Sequence, residues 1–201
     1  MSGLAKRLRR NEDGAAIVEF ALVLTPLLLF LLGGLDLGYQ AYLRSVVQGA
    51  LNDVARSGSI EGPTFDCAGE TVEAQIGCAI QTRSDVIARN GTYQITMKNF
   101  YDFSGIGRSE KLITDYNANG NYDPGDCFVD LNENGSFDAS AGRTGVGGAD
   151  DVVFYEVELS MPRLFPIHRF IEATPDYNIY ATAAVRNQPY ATQRVPPTVC
   201  V

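Results

Sequence analysis

Two groups of residues in this chain have types and spacings suited to chemistry. The larger is Asp115-Tyr-Asn117-Ala-Asn119-Gly120-Asn121-Tyr-Asp123-Pro-Gly-Asp126. It matches the pattern D-x-[DN]-x-[DN]-G, with acids at loop positions nine and twelve. Calcium takes about six to eight oxygens from a chain that turns sharply at position six, where glycine permits the turn. Asp115, Asn117, Asn119, Asp123 and Asp126 offer side-chain oxygens, and Asn121 offers its carbonyl. Fifteen residues on, the pattern recurs as Asp130-Leu-Asn132-Glu-Asn134-Gly135-Ser136-Phe-Asp138. Ser136 takes the place of Asn121, but position twelve is Ala141, so an acid from elsewhere, Asp150 or Asp151, is expected to complete the second loop.

Asp, Asn and Gly also dominate ordinary solvated turns. Two tandem copies, with glycine at the same place and an aromatic, Tyr122 or Phe137, two residues later, favour calcium over that reading. No helical pattern flanks the loops. They look more like the calcium loops of dockerin or thrombospondin-type repeats than like helix–loop–helix hands. Aspartate at position twelve points to modest affinity, on the order of 10⁻⁴–10⁻³ M, and to a structural ion.

The second group is a lone carboxylate in an apolar stretch. Ala15 to Leu35 is twenty-one residues interrupted only by Glu19, and the sixteen from Phe20 to Leu35 carry no charge. That length crosses ~30 Å of hydrocarbon as a helix. A charge near the centre of such a helix costs about 2.5–3.5 kcal/mol, so Glu19 is expected to meet a partner. Lys6, Arg7, Arg9 and Arg10 precede the span. They should stay cytoplasmic and send the rest of the chain outward. A removable secretory signal fits less well, because the apolar run is too long and no small-x-small site follows it.

These groups need elements to position them. The first is a helix from about Ala16 to Ser57, interrupted near Pro26 and Gly33-Gly34. It is apolar all round in its first half; in its second half Leu43, Val46, Val47, Ala50, Leu51 and Val54 recur along one face. Val72 to Ile87 repeats at three and four and predicts a short second helix ended by Asn90-Gly91. Alternation predicts three half-buried strands, through Tyr93–Met97, Val153–Met161 and Tyr177–Val185, with a short helical turn between Pro162 and Ile171. The fold class is therefore α+β: a long N-terminal transmembrane or spine helix, a short second helix and a three-stranded antiparallel sheet. The segment 102–151 has neither period and reads as an insertion ordered by its own calcium loops. The domain plan is a cytoplasmic leader 1–14, a transmembrane helix 15–38 and an outward domain 39–201.

Cys67, Cys78, Cys127 and Cys200 all lie on the outward side, where an even number predicts disulfides in one of three connectivities. Cys67–Cys78 is the favoured local pair, which leaves Cys127–Cys200 to tie the tail to the acidic loop. No CxxC or CxxxC pair supports zinc. Without residues 1–14 the net charge is −10, from 12 basic and 22 acidic residues. Nucleic acid is excluded as a partner, and cations are favoured. No enzyme is expected: the only histidine, His168, has no nucleophile motif near it, and Gly145-Val-Gly-Gly148 is too short for a phosphate loop.

The run Arg9-Arg-Asn-Glu-Asp-Gly-Ala-Ala-Ile-Val-Glu-Phe-Ala-Leu-Val-Leu-Thr-Pro26 resembles the TadE-like family of tight-adherence (Flp-type) pilus systems. Gly14, four residues, then Glu19-Phe20 is that family's processing pattern, and Pro26 and Asp36 also fit it. The resemblance implies cleavage by a prepilin peptidase after Gly14, which makes Ala15 the N-terminus and Glu19 the fifth residue. The freed ammonium and this glutamate would align neighbouring subunits. The protein would be single-pass in the inner membrane, with the outward part a small periplasmic pilin-like domain, or would be incorporated into an extracellular pilus. The product would be a minor pilin or pseudopilin whose partners are other pilin subunits and the assembly machinery. The runner-up is an uncleaved, membrane-anchored calcium-binding adhesion or scaffold protein.

Overall fold

The computed structural model describes residues 13–165 and 172–201. The basic leader, His168 and most of the expected turn between Pro162 and Ile171 lie outside the described residues. Helix α1 is Asp13–Gly58 and α2 is Val72–Ser84. The strands are β1 Thr92–Phe100, β2 Lys111–Thr114, β3 Cys127–Val129, β4 Arg143–Thr144, β5 Val152–Pro162, β6 Asp176–Arg186 and β7 Thr198–Cys200. The chain divides into two compact units, residues 1–42 with 163–176, and residues 43–162 with 177–201.

The first unit holds the apolar part of α1. The helix is unbroken through Pro26, Gly33 and Gly34, which corrects the expected interruption. Proline removes one helical N–H, yet apolar helices tolerate it where nearby side chains satisfy the freed backbone. Thr25 Oγ1 donates to the Ala21 carbonyl at 2.8 Å, one residue before the Leu22 carbonyl that Pro26 leaves without its helical N–H. No atom lies within 4 Å of a Cβ built at Gly33 or Gly34, so these glycines answer to no close packing. Ile17, Leu22 and Phe30 are 70%, 72% and 83% exposed. A helix so apolar and so bare is long enough to cross a membrane.

The second unit is an α+β layer. Leu43, Val47, Leu51 and Val54 on α1 are fully buried at helical spacing, with Ile76 and Ile80 of α2. Thr71 caps α2 by accepting the Ala74 N–H at 3.2 Å. That helix stops at Ser84, three residues short of expectation, because the Ile87 and Ala88 N–H groups both turn back to the Ser84 carbonyl. The main sheet is four-stranded, ordered β4-β1-β5-β6, one strand more than expected. The three alternating runs are β1, β5 and β6, and Val153, Tyr155, Val157, Leu159, Tyr177 and Ile179 all face the core. The extra strand β4 is two residues long, below the length at which alternation shows. The buried Asn99 amide holds it by donating to the Arg143, Thr144 and Gly145 carbonyls at 3.2, 3.4 and 3.0 Å.

The segment 102–151 is also more regular than its sequence. It contributes β2, β3 and β4, and β2-β3-β7 form a second antiparallel sheet. Strand β7 is the C-terminal tail. Cys127 and Cys200 are register partners across β3 and β7 and are joined as a disulfide. The other disulfide is Cys67–Cys78.

Candidate functional site

The two acidic loops fold alike, residue for residue. In the first, the Asp115 carboxylate accepts the Asn119 and Gly120 N–H groups at 3.3 and 2.7 Å. In the second, Asp130 accepts the Asn134 and Gly135 N–H groups at 3.2 and 2.8 Å. Gly120 and Gly135 have φ of 79° and 77°, and two residues before them Ala118 and Glu133 have φ of 55° and 57°. These are left-handed conformations, and the glycines at position six adopt them without a Cβ penalty. Asn117 and Asn119 both donate side-chain amides to Asp123 Oδ2, at 2.6 and 2.7 Å. Asn132 and Asn134 do the same to Asp138 Oδ2, both at 2.6 Å. Side chains at positions one, three, five and nine therefore converge twice. Asn121 and Ser136, at position seven, give their N–H groups to the Asn119 and Asn134 side-chain oxygens, both at 2.7 Å.

Position twelve is where the loops differ in sequence and agree in space. Asp126 accepts the N–H groups of positions two and nine of its own loop, Tyr116 at 3.0 Å and Asp123 at 2.9 Å. In the second loop the equivalent N–H groups belong to Leu131 and Asp138. Both are taken by Glu110, at 2.7 and 3.0 Å. Glu110, just ahead of β2, thus stands in for the acid that Ala141 lacks. Asp150 and Asp151 do not: Asp150 pairs with Arg186 at 3.7 Å, and Asp151 accepts the Gly148 N–H at 2.8 Å and a Gln193 amide at 3.2 Å. No local spacing marks Glu110, which precedes Asp130 by twenty residues and reaches it only through chain reversal. Its signal was negative, the missing acid at position twelve.

The aromatics tie the loops together. Tyr122 and Phe137, both at position eight, stack with ring centroids 4.5 Å apart. Phe128 meets each edge-on at 5.5 Å and is fully buried. Such pairs add about 0.5–1.5 kcal/mol beyond their area. The C-terminus closes over the first loop, with the Val201 carbonyl accepting the Gly125 N–H at 2.6 Å and the Tyr122 hydroxyl at 3.0 Å. Arg194 forms an ion pair with Glu133 at the second loop.

Asp126, Asp130 and Glu110 are only 2–3% exposed, and the hydrogen bonds described above reach them from backbone N–H groups. Burial pushes the Glu110 carboxyl above its usual value, with the Asp130 charge adding to the shift, although three backbone N–H groups oppose it. Buried carboxylates met by neutral donors are costly unless a cation compensates them. Among the described residues, no group of three Asp, Glu, His or Cys side chains is arranged to hold a metal by itself. The convergence is of aspartate with asparagine, whose amide presents its oxygen instead of its NH₂ after a half-turn.

The second site is the start of α1. Gly14, Ala15, Glu19 and Phe20 are all exposed, and a Cβ at Gly14 would meet nothing within 4 Å. Ala15 and Glu19 are four apart and so share a helix face. Together these features define a class: a chain led by a bare apolar helix with one internal carboxylate, carrying a small disulfide-bonded α+β unit. Residues 14–56, within this first helix, match the family model described as TadE-like protein. The match spans nearly all of α1 and none of the acidic loops. No curated protein and no solved structure matches the chain.

Proposed function

We propose that this chain is a minor pilin or pseudopilin of a Tad-type pilus and has no enzymatic activity. A prepilin peptidase cuts it after Gly14. It is anchored in the inner membrane by the apolar half of α1, with the leader cytoplasmic and the C-terminal domain periplasmic, and it assists pilus assembly by contact with other pilin subunits. The observation that carries this reading is Glu19. It lies exposed one turn after Gly14-Ala15, inside the TadE-like segment, in a helix whose apolar surface is bare. A carboxylate there is unfavourable in lipid without a cation, and the new Ala15 ammonium of a neighbouring subunit supplies one.

The test is the intact mass of the protein from cells with and without the peptidase. The two should differ by residues 1–14, and a bulky residue in place of Gly14 should abolish the difference. A mature protein that still starts at the leader would remove the pilin reading and leave an anchored scaffold. A second expected result concerns assembly. Glu19→Ala should insert into the membrane as well as the natural chain, or better, yet lose co-purification with its pilin partners and lose pili. Unchanged assembly in Glu19→Ala would mean that the carboxylate has no aligning role.

For the acidic loops we propose a structural role for calcium. Asp115, Asn117, Asn119, Asn121, Asp123 and Asp126 would hold one ion. Asp130, Asn132, Asn134, Ser136, Asp138 and Glu110 would hold another. The support is that two loops of different sequence converge on the same arrangement, including an acid brought in from outside the second loop.

A further inference from the structure

We propose that Leu164, two residues past β5, is a second membrane contact and enters the acyl–headgroup boundary of the leaflet at the Asp36 end of the span. The inference rests on the membrane-anchored reading of α1. From Ala15 to Asp36 the helix rises about 32 Å, close to the ~30 Å of a hydrocarbon core. Asp36 is therefore the first charge past the span. Its neighbours Leu35 and Leu37 are 51% and 66% exposed, yet Asp36 itself is fully buried. One face of the helix is covered at this level, where the Arg163 side chain reaches Asp36.

Arg163 forms an ion pair with Asp36 through Nη1. Its Nε–H donates to the Thr174 carbonyl at 2.7 Å, and its backbone N–H to the Pro175 carbonyl at 3.1 Å. The arginine thus closes the two ends of the connection on each other and holds them against α1. A charge near a bilayer boundary is tolerated when paired, and the pair cancels both. Next in the chain, Leu164 is 55% exposed, a large apolar side chain at the level where the lipid-facing surface of α1 ends. Continuity with that surface names the occupant as phospholipid. Water and a second copy of the chain are the competing occupants.

The chain has no tryptophan, so a single one reports its own surroundings. Full-length Leu164→Trp and Phe30→Trp proteins would be reconstituted separately in phosphatidylcholine vesicles with lipids brominated on the acyl chains. Phe30→Trp reports the anchor and should be quenched by deep bromines. Leu164→Trp should be blue-shifted, quenched most by bromines close to the headgroup, and protected from aqueous iodide. Adding Asp36→Asn should return the Leu164→Trp emission to longer wavelength and expose it to iodide, while Phe30→Trp keeps its quenching. If Phe30→Trp escapes the brominated lipids, the anchor reading fails and this inference with it. If Phe30→Trp is quenched and Leu164→Trp is quenched only by iodide, Leu164 faces water and the inference alone is overturned. Shielding of Leu164→Trp from both quenchers would assign it to a protein contact, which also overturns it. Lipid quenching that survives Asp36→Asn would overturn the tethering role of the ion pair.

Discussion

Calcium is expected to raise the melting temperature of the disulfide-intact protein by about 10–20 °C at 10 mM. With a Kd of about 10⁻⁴ M, the tight end of the expected range, an ion bound only by the folded state is then at a hundred times its Kd and stabilises by about 2.7 kcal/mol, and two such ions by about twice that. For a domain of this size each kcal/mol moves the midpoint by roughly 2–4 °C. The effect arises because the gathered carboxylates would share a cation, and binding energy then becomes folding energy for the segment from Glu110 to Asp138. Magnesium should do less, since it demands a stricter octahedral site. Asp115→Ala with Asp126→Ala should remove the share of the first loop. Glu110→Gln should remove that of the second and leave the first responsive, although Glu110 lies outside both repeats. Scanning calorimetry after thorough chelation reads all of these. A midpoint indifferent to calcium would make the loops a hydrogen-bonded insertion and end the metal proposal, while leaving the pilin reading intact. A calcium response in Glu110→Gln equal to that of the natural chain would show that the second loop takes no ion through this residue.

Removing the Cys127–Cys200 disulfide by paired serine substitutions should cost about 4 kcal/mol, seen as a lower urea midpoint. The two cysteines are 73 residues apart. In the chain-entropy account a closed loop of that length restrains the unfolded chain by roughly this much. The native state would lose as well, because β7 is a three-residue edge strand whose hold on β3 is short. The tail also supplies the Pro197 carbonyl to the Asp130 N–H at 2.9 Å and the Val201 carbonyl to Gly125 and Tyr122. The serine pair should therefore weaken the calcium response of both loops, although no proposed ligand is changed. A loss under about 0.5 kcal/mol, the usual surface-substitution scale, would mean that the bond does not restrain the chain.

What the sequence determined by itself was whatever repeats over a few residues. A helix with apolar residues on every side, an amphipathic continuation through Leu43, Val47, Leu51 and Val54, and three alternating strands are periods of the local backbone. They are set by where successive side chains point. The two loops were legible for the same reason: glycine at position six and oxygens at alternate positions are a local demand, and Gly120 and Gly135 meet it with nearly equal φ. The TadE-like segment is likewise one stretch, residues 14–56.

The tertiary structure decided whatever depends on distant parts of the chain meeting. It brought Glu110 to the second loop, where sequence distance favoured Asp150 or Asp151. It set Arg163 against Asp36, 127 residues away. It built the β2-β3-β7 sheet from strands of three to four residues, too short to show a period, by laying the tail beside Cys127. Local sterics and periodicity act within a turn or a strand. Neutralising a buried carboxylate or closing a short strand requires a partner that only the folded path of the chain can supply.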